Sequence, residues 1–154
     1  MVPAVEIWIQ IISMYCHTKG RAVTDFSSDS ELLDGPGDPR QGSMGSDEIL
    51  IGLVQALYPG KPYCLVNAWT IFKVDVTEDE LAKIQAAGQM PLIVFAHNVR
   101  FDSERRFDVG DWVRTTFATS FEEGYLFETR NTVYVLCGNG HEKATSLKTA
   151  LSFF

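Results

Sequence analysis

The sequence is poor in the basic residues that bind nucleic acid. Its 154 residues carry 13 Lys and Arg against 20 Asp and Glu, a formal net charge of −7. Neutralising a phosphate backbone requires clustered basic side chains, and the pair Arg105-Arg106 is too short to supply them. Direct binding of nucleic acid is therefore not expected. The acidity suits solubility or contact with a basic partner.

Cysteine is scarce as well. The three cysteines, Cys16, Cys64 and Cys137, form no CxxC pair and no Cys/His spacing of the kind that binds zinc. An odd number of isolated cysteines is typical of free thiols in a reducing compartment. We therefore expect a cytoplasmic protein without metal or cofactor, in which Cys64 and Cys137 are buried within strands.

No apolar run is long enough to span a bilayer. The apolar run over residues 2–16 contains Glu6, has no preceding basic residue and lacks a clear cleavage site, which argues against a signal peptide. Residues 1–26 are interpreted as an apolar N-terminal extension. Residues 27–46, rich in Ser, Gly and Pro, are predicted to form an acidic loop, and residues 47–154 to form the folded domain.

Two helices begin at recognisable capping residues. Ser46 precedes two acids and predicts a helix that ends at Pro59-Gly60. Thr77 and Glu80 have the spacing of a capping box, and Gly88 is the expected end of that second helix. The first helix carries an apolar stripe of Ile49, Leu50, Leu53, Val54 and Leu57.

Most of the remaining chain is typical of β-strands separated by turns. The predicted strands are residues 63–66, 70–76, 92–99, 111–120, 125–130 and 132–137, and the tail 145–154 is a short helix or an apolar strand. Short connections imply antiparallel pairing, because parallel pairs need long crossovers. The expected fold is a single α+β domain, mostly an antiparallel sheet of about five to six strands with a C-terminal β-meander and two to three helices.

Two runs carry a resemblance to a known kind of family. They read G-D-W-V-R-T-T from Gly110 and F-E-T-R-N-T-V-Y-V-L from Phe127, followed by a Gly-rich close. With these runs the chain resembles an uncharacterised small-domain family of proteobacteria and their phages, over roughly residues 30 to 150. The resemblance implies a bacterial or prophage origin and a cytoplasmic location. It transfers no catalytic residue.

One polar cluster stands out as a candidate site. If the polar sides of the predicted strands 111–120 and 125–130 lie on one face of the sheet, Arg114 and Glu128 are placed to pair across the two strands. The functional interpretation is a binding surface with a fixed guanidinium suited to carboxylate or phosphate. The structural interpretation is an exposed face held by cross-strand pairs, with residues 129–132 forming a stabilised turn. The candidate residues are Trp112, Arg114, Thr116, Glu128, Arg130 and Asn131.

Catalytic motifs are lacking. No G-x-S-x-G or phosphate loop occurs, and His17, His97 and His141 are far apart in sequence. A Cys137 dyad with His97 or His141 would supply a nucleophile and base, but no spacing supports it. The residues thus favour a binding protein over an enzyme.

Three functions remain open at this point. The first is a small accessory protein of phage or prophage origin that binds a protein partner, for example to inhibit a host defence or nucleic-acid enzyme. The second is a module for a small nucleotide-like anion held by Arg114 and Arg130. The third is an enzyme of unrecognised type. Sequence leaves a homodimer open.

Overall fold

The computed structural model describes residues 37–152, which form one α+β domain as predicted. Eight strands belong to a single curled sheet, and three helices accompany it. No helix in this part of the chain is long and apolar enough to cross a membrane. The strands are β1 (Asp38–Gln41), β2 (Tyr63–Asp75), β3 (Leu92–Asp102), β4 (Val113–Arg114), β5 (Ser120–Glu122), β6 (Leu126–Glu128), β7 (Val133–Leu136) and β8 (Asn139–Ser146). The helices are α1 (Asp47–Leu57), α2 (Glu78–Ala86) and α3 (Leu147–Ser152).

The first two helices begin at the predicted caps. The Ser46 hydroxyl accepts a hydrogen bond from the Ile49 N–H at 3.4 Å. The Glu80 N–H donates to Thr77 Oγ1 at 3.2 Å, and the Thr77 N–H donates to Glu80 Oε1 at 2.9 Å. These bonds satisfy N–H groups that have no partner inside the helix. Gly88, with φ of 74°, follows the end of α2 as expected.

Strand β2 is one strand where the sequence predicts two around a corner. It spans 13 residues, and Ala68 in its middle has φ of 50°. This left-handed conformation disfavours a residue with a side chain, and here it reverses which side chains face the core. The core-facing residues are even-numbered before Ala68 and odd-numbered after it: Cys64, Val66, Trp69 and Ile71.

The sheet closes on itself because one segment pairs with two different strands in turn. The sequence predicts a single strand over residues 111–120, but β4 pairs with β3 whereas β5 pairs with β6. Between them, the Ala118 N–H donates to the Leu92 carbonyl at 3.0 Å, and the Thr119 N–H donates to the Glu128 carbonyl at 2.7 Å. The predicted meander is confirmed as the antiparallel series β5, β6 and β7.

Two strands lie where the sequence predicts turn or loop. β8 continues beyond Gly138-Asn139-Gly140, which was expected to close the last strand, and it pairs in parallel with the second half of β2. The first half of β2 pairs in parallel with β7. β1 lies within the segment 27–46 that was expected to be a loop, and it pairs antiparallel with β8. The rest of that segment before residue 37, and the extension 1–26, lie outside the described residues.

The core has three parts, which follow from the curl of the sheet. One face of the sheet turns inward and buries side chains from β2, β3, β6 and β7, among them Trp69, Val94, Ala96, Phe127 and Leu136. α1 buries Leu50 and Val54 against the other face, beside Leu65 and Val135. α2 and α3 cover a second stretch through Ile84 and Leu147, which pack with Val74, Ile93 and Phe117.

Among residues 37–152, Trp69 is the largest fully buried side chain. Its indole N–H donates to the Cys137 carbonyl at 3.0 Å, so its polar atom is satisfied in the core. A Cβ added to Gly140 would lie 2.3 Å from the indole ring, which no real side chain permits. The glycine in β8 is therefore required by the close approach of the tryptophan, and not by a turn.

Candidate functional site

The six predicted site residues are divided between two regions of the sheet. Trp112, Arg114 and Thr116 lie at β4, which among the described strands pairs with β3. Glu128 ends β6, and Arg130 and Asn131 lie in the turn that follows it. Since β4 and β6 are not neighbours in the sheet, the direct cross-strand arrangement of Arg114 with Glu128 that the sequence suggested is not formed. The candidate site therefore becomes two.

The first region is a group of aromatic and basic side chains on β3 and β4. Phe95 lies opposite Arg114 in the strand register, and alternation places Phe95, His97, Trp112 and Arg114 on one side, which we call the aromatic face. The Trp112 ring stacks on Phe95 with centroids 5.6 Å apart and planes at 14°, and His97 meets Phe95 edge-on at 5.0 Å. Trp112 is nevertheless 59% exposed.

Helices cover only part of this side of the sheet. Ile93, two residues before Phe95 on β3, is fully buried with side chains of α2 and α3. His97, two residues further along, is exposed. Arg114 is half-buried, and this burial lowers the pKa of its guanidinium, because desolvation disfavours the charged form. Thr116 is exposed, whereas its neighbour Thr115 accepts a hydrogen bond from the Val94 N–H at 2.9 Å.

The second region is built on a stabilised turn. The Thr129 N–H and hydroxyl both donate to the Thr132 carbonyl, at 2.8 and 3.0 Å, and the Thr132 N–H donates to Thr129 Oγ1 at 3.2 Å. The Lys61 ammonium donates to Glu128 Oε2 and to the Thr129 carbonyl, each at 2.8 Å. These contacts agree with the structural interpretation of residues 129–132, and they leave the side chains of Arg130 and Asn131 exposed.

Next to this turn lies an ion pair that sequence reasoning missed. Asp102 is buried, and its carboxylate accepts hydrogen bonds from Arg106 Nη2 at 2.7 Å, Nε at 3.1 Å and the backbone N–H at 2.6 Å. Arg106 Nη1 donates to Thr132 Oγ1 at 2.8 Å. Burial opposes ionisation of Asp102, but the hydrogen bonds and charge of Arg106 outweigh it and lower the carboxyl pKa. The only sequence signal was the i, i+4 spacing of the two residues in a charged segment.

The ion pair and the turn border an open cleft. Its volume is about 950 Å³, and it lies between the turns at residues 59–62, 104–106 and 130–131. Its charged and amide side chains are Lys61, Glu104, Arg106, Arg130 and Asn131. Two of the six predicted site residues, Arg130 and Asn131, thus line a cleft, together with two cations that the sequence did not single out.

The described cysteines are buried and poorly suited to nucleophilic catalysis. Burial raises the pKa of Cys64 to about 12 and that of Cys137 to about 11, so both are protonated thiols at neutral pH. Their predicted burial is confirmed, whereas Cys16 and His17 lie outside the described residues. Within residues 37–152, no group of three or more His, Cys, Asp or Glu side chains is arranged to hold a metal ion.

Comparison with known proteins gives one match. A family described as "Domain of unknown function (DUF6957)" matches residues 41–152, which span α1 to α3 and both candidate regions. No curated protein and no solved structure matches the chain.

Proposed function

The chain belongs to the domain family of unknown function DUF6957, and we propose that it is a non-catalytic accessory protein that binds a protein partner through the aromatic face. The observation that carries this proposal is the exposure of Trp112, 59% of which is open to solvent although its ring is held against Phe95. An exposed tryptophan ring that is already held in one orientation offers apolar surface that a partner can cover.

The composition of the aromatic face matches that of residues that dominate binding energies. Trp and Arg are enriched among the side chains whose truncation most weakens protein interfaces. Trp112 is fixed by its stack on Phe95, so little conformational entropy is lost when a partner covers it. Val109, three residues before Trp112 in the chain, is also 78% exposed.

The charge of the chain favours a basic partner. With a net charge of −7, association with a positively charged surface is accelerated and like-charged competitors are repelled. A protein that handles nucleic acid has such a surface, which is why inhibition of a host defence or nucleic-acid enzyme is part of the proposal. The cytoplasmic location and the phage or prophage origin belong to the same proposal and rest on the sequence resemblance.

The proposal is tested with three forms of the protein as immobilised bait in an extract of the source organism. Wild type, Trp112→Ala and Ile49→Ala are compared, because Ile49 is 67% exposed on α1 and serves as a matched loss of exposed apolar surface. We expect a partner that is retained by wild type and I49A and is lost with W112A. Truncating an interface tryptophan of this kind costs at least about 2 kcal/mol of binding free energy.

The opposite pattern contradicts the proposal. A partner lost with I49A and kept by W112A docks on α1 instead, and equal retention by all three forms excludes both surfaces. Since Trp112 is exposed, its replacement should leave the melting temperature within a few degrees of wild type. That control separates loss of binding from loss of folding.

A further inference from the structure

The cleft between the turns at residues 59–62, 104–106 and 130–131 brings three basic side chains together, Lys61, Arg106 and Arg130. We infer that this cleft binds one carboxylate or phosphate group between the guanidinium groups of Arg106 and Arg130. The sequence suggested an anion held by Arg114 and Arg130. Arg114 lies on the aromatic face on β4, whereas Arg106 lines the same cleft as Arg130.

Arg106 is held in place before any ligand arrives. Three of its side-chain donors are engaged, two by the buried Asp102 carboxylate and one by Thr132 Oγ1. A guanidinium has five N–H donors, so two remain, one on each terminal nitrogen. The side chain is 35% exposed. A fixed, planar donor of this kind suits an oxyanion, because no rotamer entropy is lost on binding.

Among the cations that line the cleft, Arg130 differs from Lys61 and Arg106 in its ionic partners. The buried Asp102 compensates Arg106, and Glu128 compensates Lys61 at 2.8 Å. Within residues 37–152, Arg130 has no acid within ion-pair distance, and its side chain is exposed beside the Asn131 amide. An anion between Arg106 and Arg130 would give Arg130 the ionic partner that it lacks among these residues.

The remaining acid limits what the cleft accepts. Glu104 lies on its wall, so a second anionic group is repelled. With the overall charge of −7, this disfavours a nucleic-acid backbone, which needs several adjacent cations. The ligand chemistry is therefore a single oxyanion, either free in solution or carried on a peptide side chain.

Titration followed by NMR tests the site. The arginine Nε–H signals of the full chain are recorded while inorganic phosphate, acetate or a phosphoserine peptide is added at constant ionic strength. We expect saturable shifts of the Arg106 and Arg130 signals. If the peptide binds more tightly than inorganic phosphate, the anion bound in the cleft is carried by a protein partner. If the two bind equally, the cleft binds a free anion. Both results support the site.

Two charge-matched variants decide whether the cleft is responsible. Arg130→Gln should weaken binding by about tenfold, the loss expected when a charge-assisted hydrogen bond is removed. Arg105→Gln removes the same charge from the turn at residues 104–106, at a side chain that does not line the cleft, and it should change binding less than twofold. Equal effects of the two variants would indicate diffuse attraction and overturn the site, as would the absence of saturable shifts with all three probes.

The outcome is independent of the aromatic face. Trp112→Ala should bind the anions as wild type does, because Trp112 does not line the cleft. Loss of the anion site would leave the proposed protein interface untouched, and loss of the partner with W112A would leave the anion site untouched.

Discussion

At the scale of single residues, buried polar groups determine where this domain is sensitive to change. Asp102 is buried yet ionised, and it is tolerated because Arg106 gives it three hydrogen bonds. Trp69 is similarly satisfied by one backbone carbonyl. Each of these buried side chains relies on one specific partner, Arg106 for Asp102 and the Cys137 carbonyl for Trp69. A single substitution at either end therefore leaves a buried polar group unsatisfied.

Replacing Asp102 by Asn should destabilise the domain and flatten its response to acid. We expect a loss of about 2–3 kcal/mol, less than for a fully buried pair because Arg106 is partly exposed. The pKa of the Asp102 carboxyl is lower in the folded protein than in the unfolded chain. The ionised carboxylate therefore stabilises the fold at any pH above its unfolded-state pKa, and this stabilisation is lost as the pH falls through its folded-state pKa. Urea unfolding from neutral to acidic pH measures both effects.

The exposed Asp108 provides the control for Asp102. Asp108→Asn should change stability by less than about 0.5 kcal/mol and should keep the acid dependence of wild type. A D102N variant whose stability falls as steeply in acid as that of wild type would show that Asp102 does not contribute to that dependence.

Two glycine-to-alanine substitutions should change the stability of the domain in opposite directions. At Gly140 the added methyl would lie 2.3 Å from the Trp69 ring, so Gly140→Ala should cost about 3 kcal/mol through overpacking. At Gly52, inside α1, the methyl meets nothing within 4 Å, and alanine should stabilise the helix by about 0.5–1 kcal/mol. Thermal melting of both variants checks this, and a G140A protein as stable as wild type would contradict the packing described for Trp69.

At the scale of secondary-structure elements, the ends of the helices are set by local chemistry, and the strands are set by their partners. α1 and α2 begin at side-chain caps, Ser46 and Thr77, which the sequence pattern alone predicts. β4 and β5 have two and three residues, too few for any periodicity, and they exist because β3 and β6 offer them hydrogen bonds. The contribution of a helix cap to stability is therefore easier to predict than that of a short strand.

Removal of the two caps should cost different amounts. Thr77→Ala breaks a reciprocal capping box with bonds of 3.2 and 2.9 Å and should destabilise the domain by about 1 kcal/mol. Ser46→Ala removes a single bond of 3.4 Å and should cost roughly half of that. Urea unfolding of both variants supplies the comparison. A larger effect at Ser46 would mean that α1 relies on its cap more than its geometry indicates.

At the scale of the whole molecule, the chain is held together by strands that are distant in sequence. β1 lies at one edge of the sheet and pairs with β8, about a hundred residues away. Arg40 in β1 also pairs with the buried carboxylate of Glu142, which Lys73 contacts from β2. Removing an edge strand that contributes a charge partner therefore affects the far end of the chain.

A pair of truncations measures what β1 contributes. A chain that starts at Gly37 keeps β1, and one that starts at Met44 loses it together with the bonds of Gly42 and Ser43 to Gly138 and Leu136. We expect the Met44 form to be less stable than the Gly37 form by about 2–4 kcal/mol, because Glu142 loses a cation and β8 loses its neighbour. Equal urea midpoints would show that this edge is dispensable.

The sequence by itself determined the fold class, both helix starts, the buried cysteines Cys64 and Cys137 and the C-terminal meander. These features depend on side chains a few positions apart, where capping, alternation and turn chemistry act. Only the tertiary structure decided that residues 111–120 serve two strands, that β8 continues beyond Gly138, and that Arg114 and Arg130 belong to different regions. Strand pairing, and ion pairs such as that of Arg40 with Glu142, depend on which distant segments meet in the fold. The alternation of a single strand does not specify its neighbour.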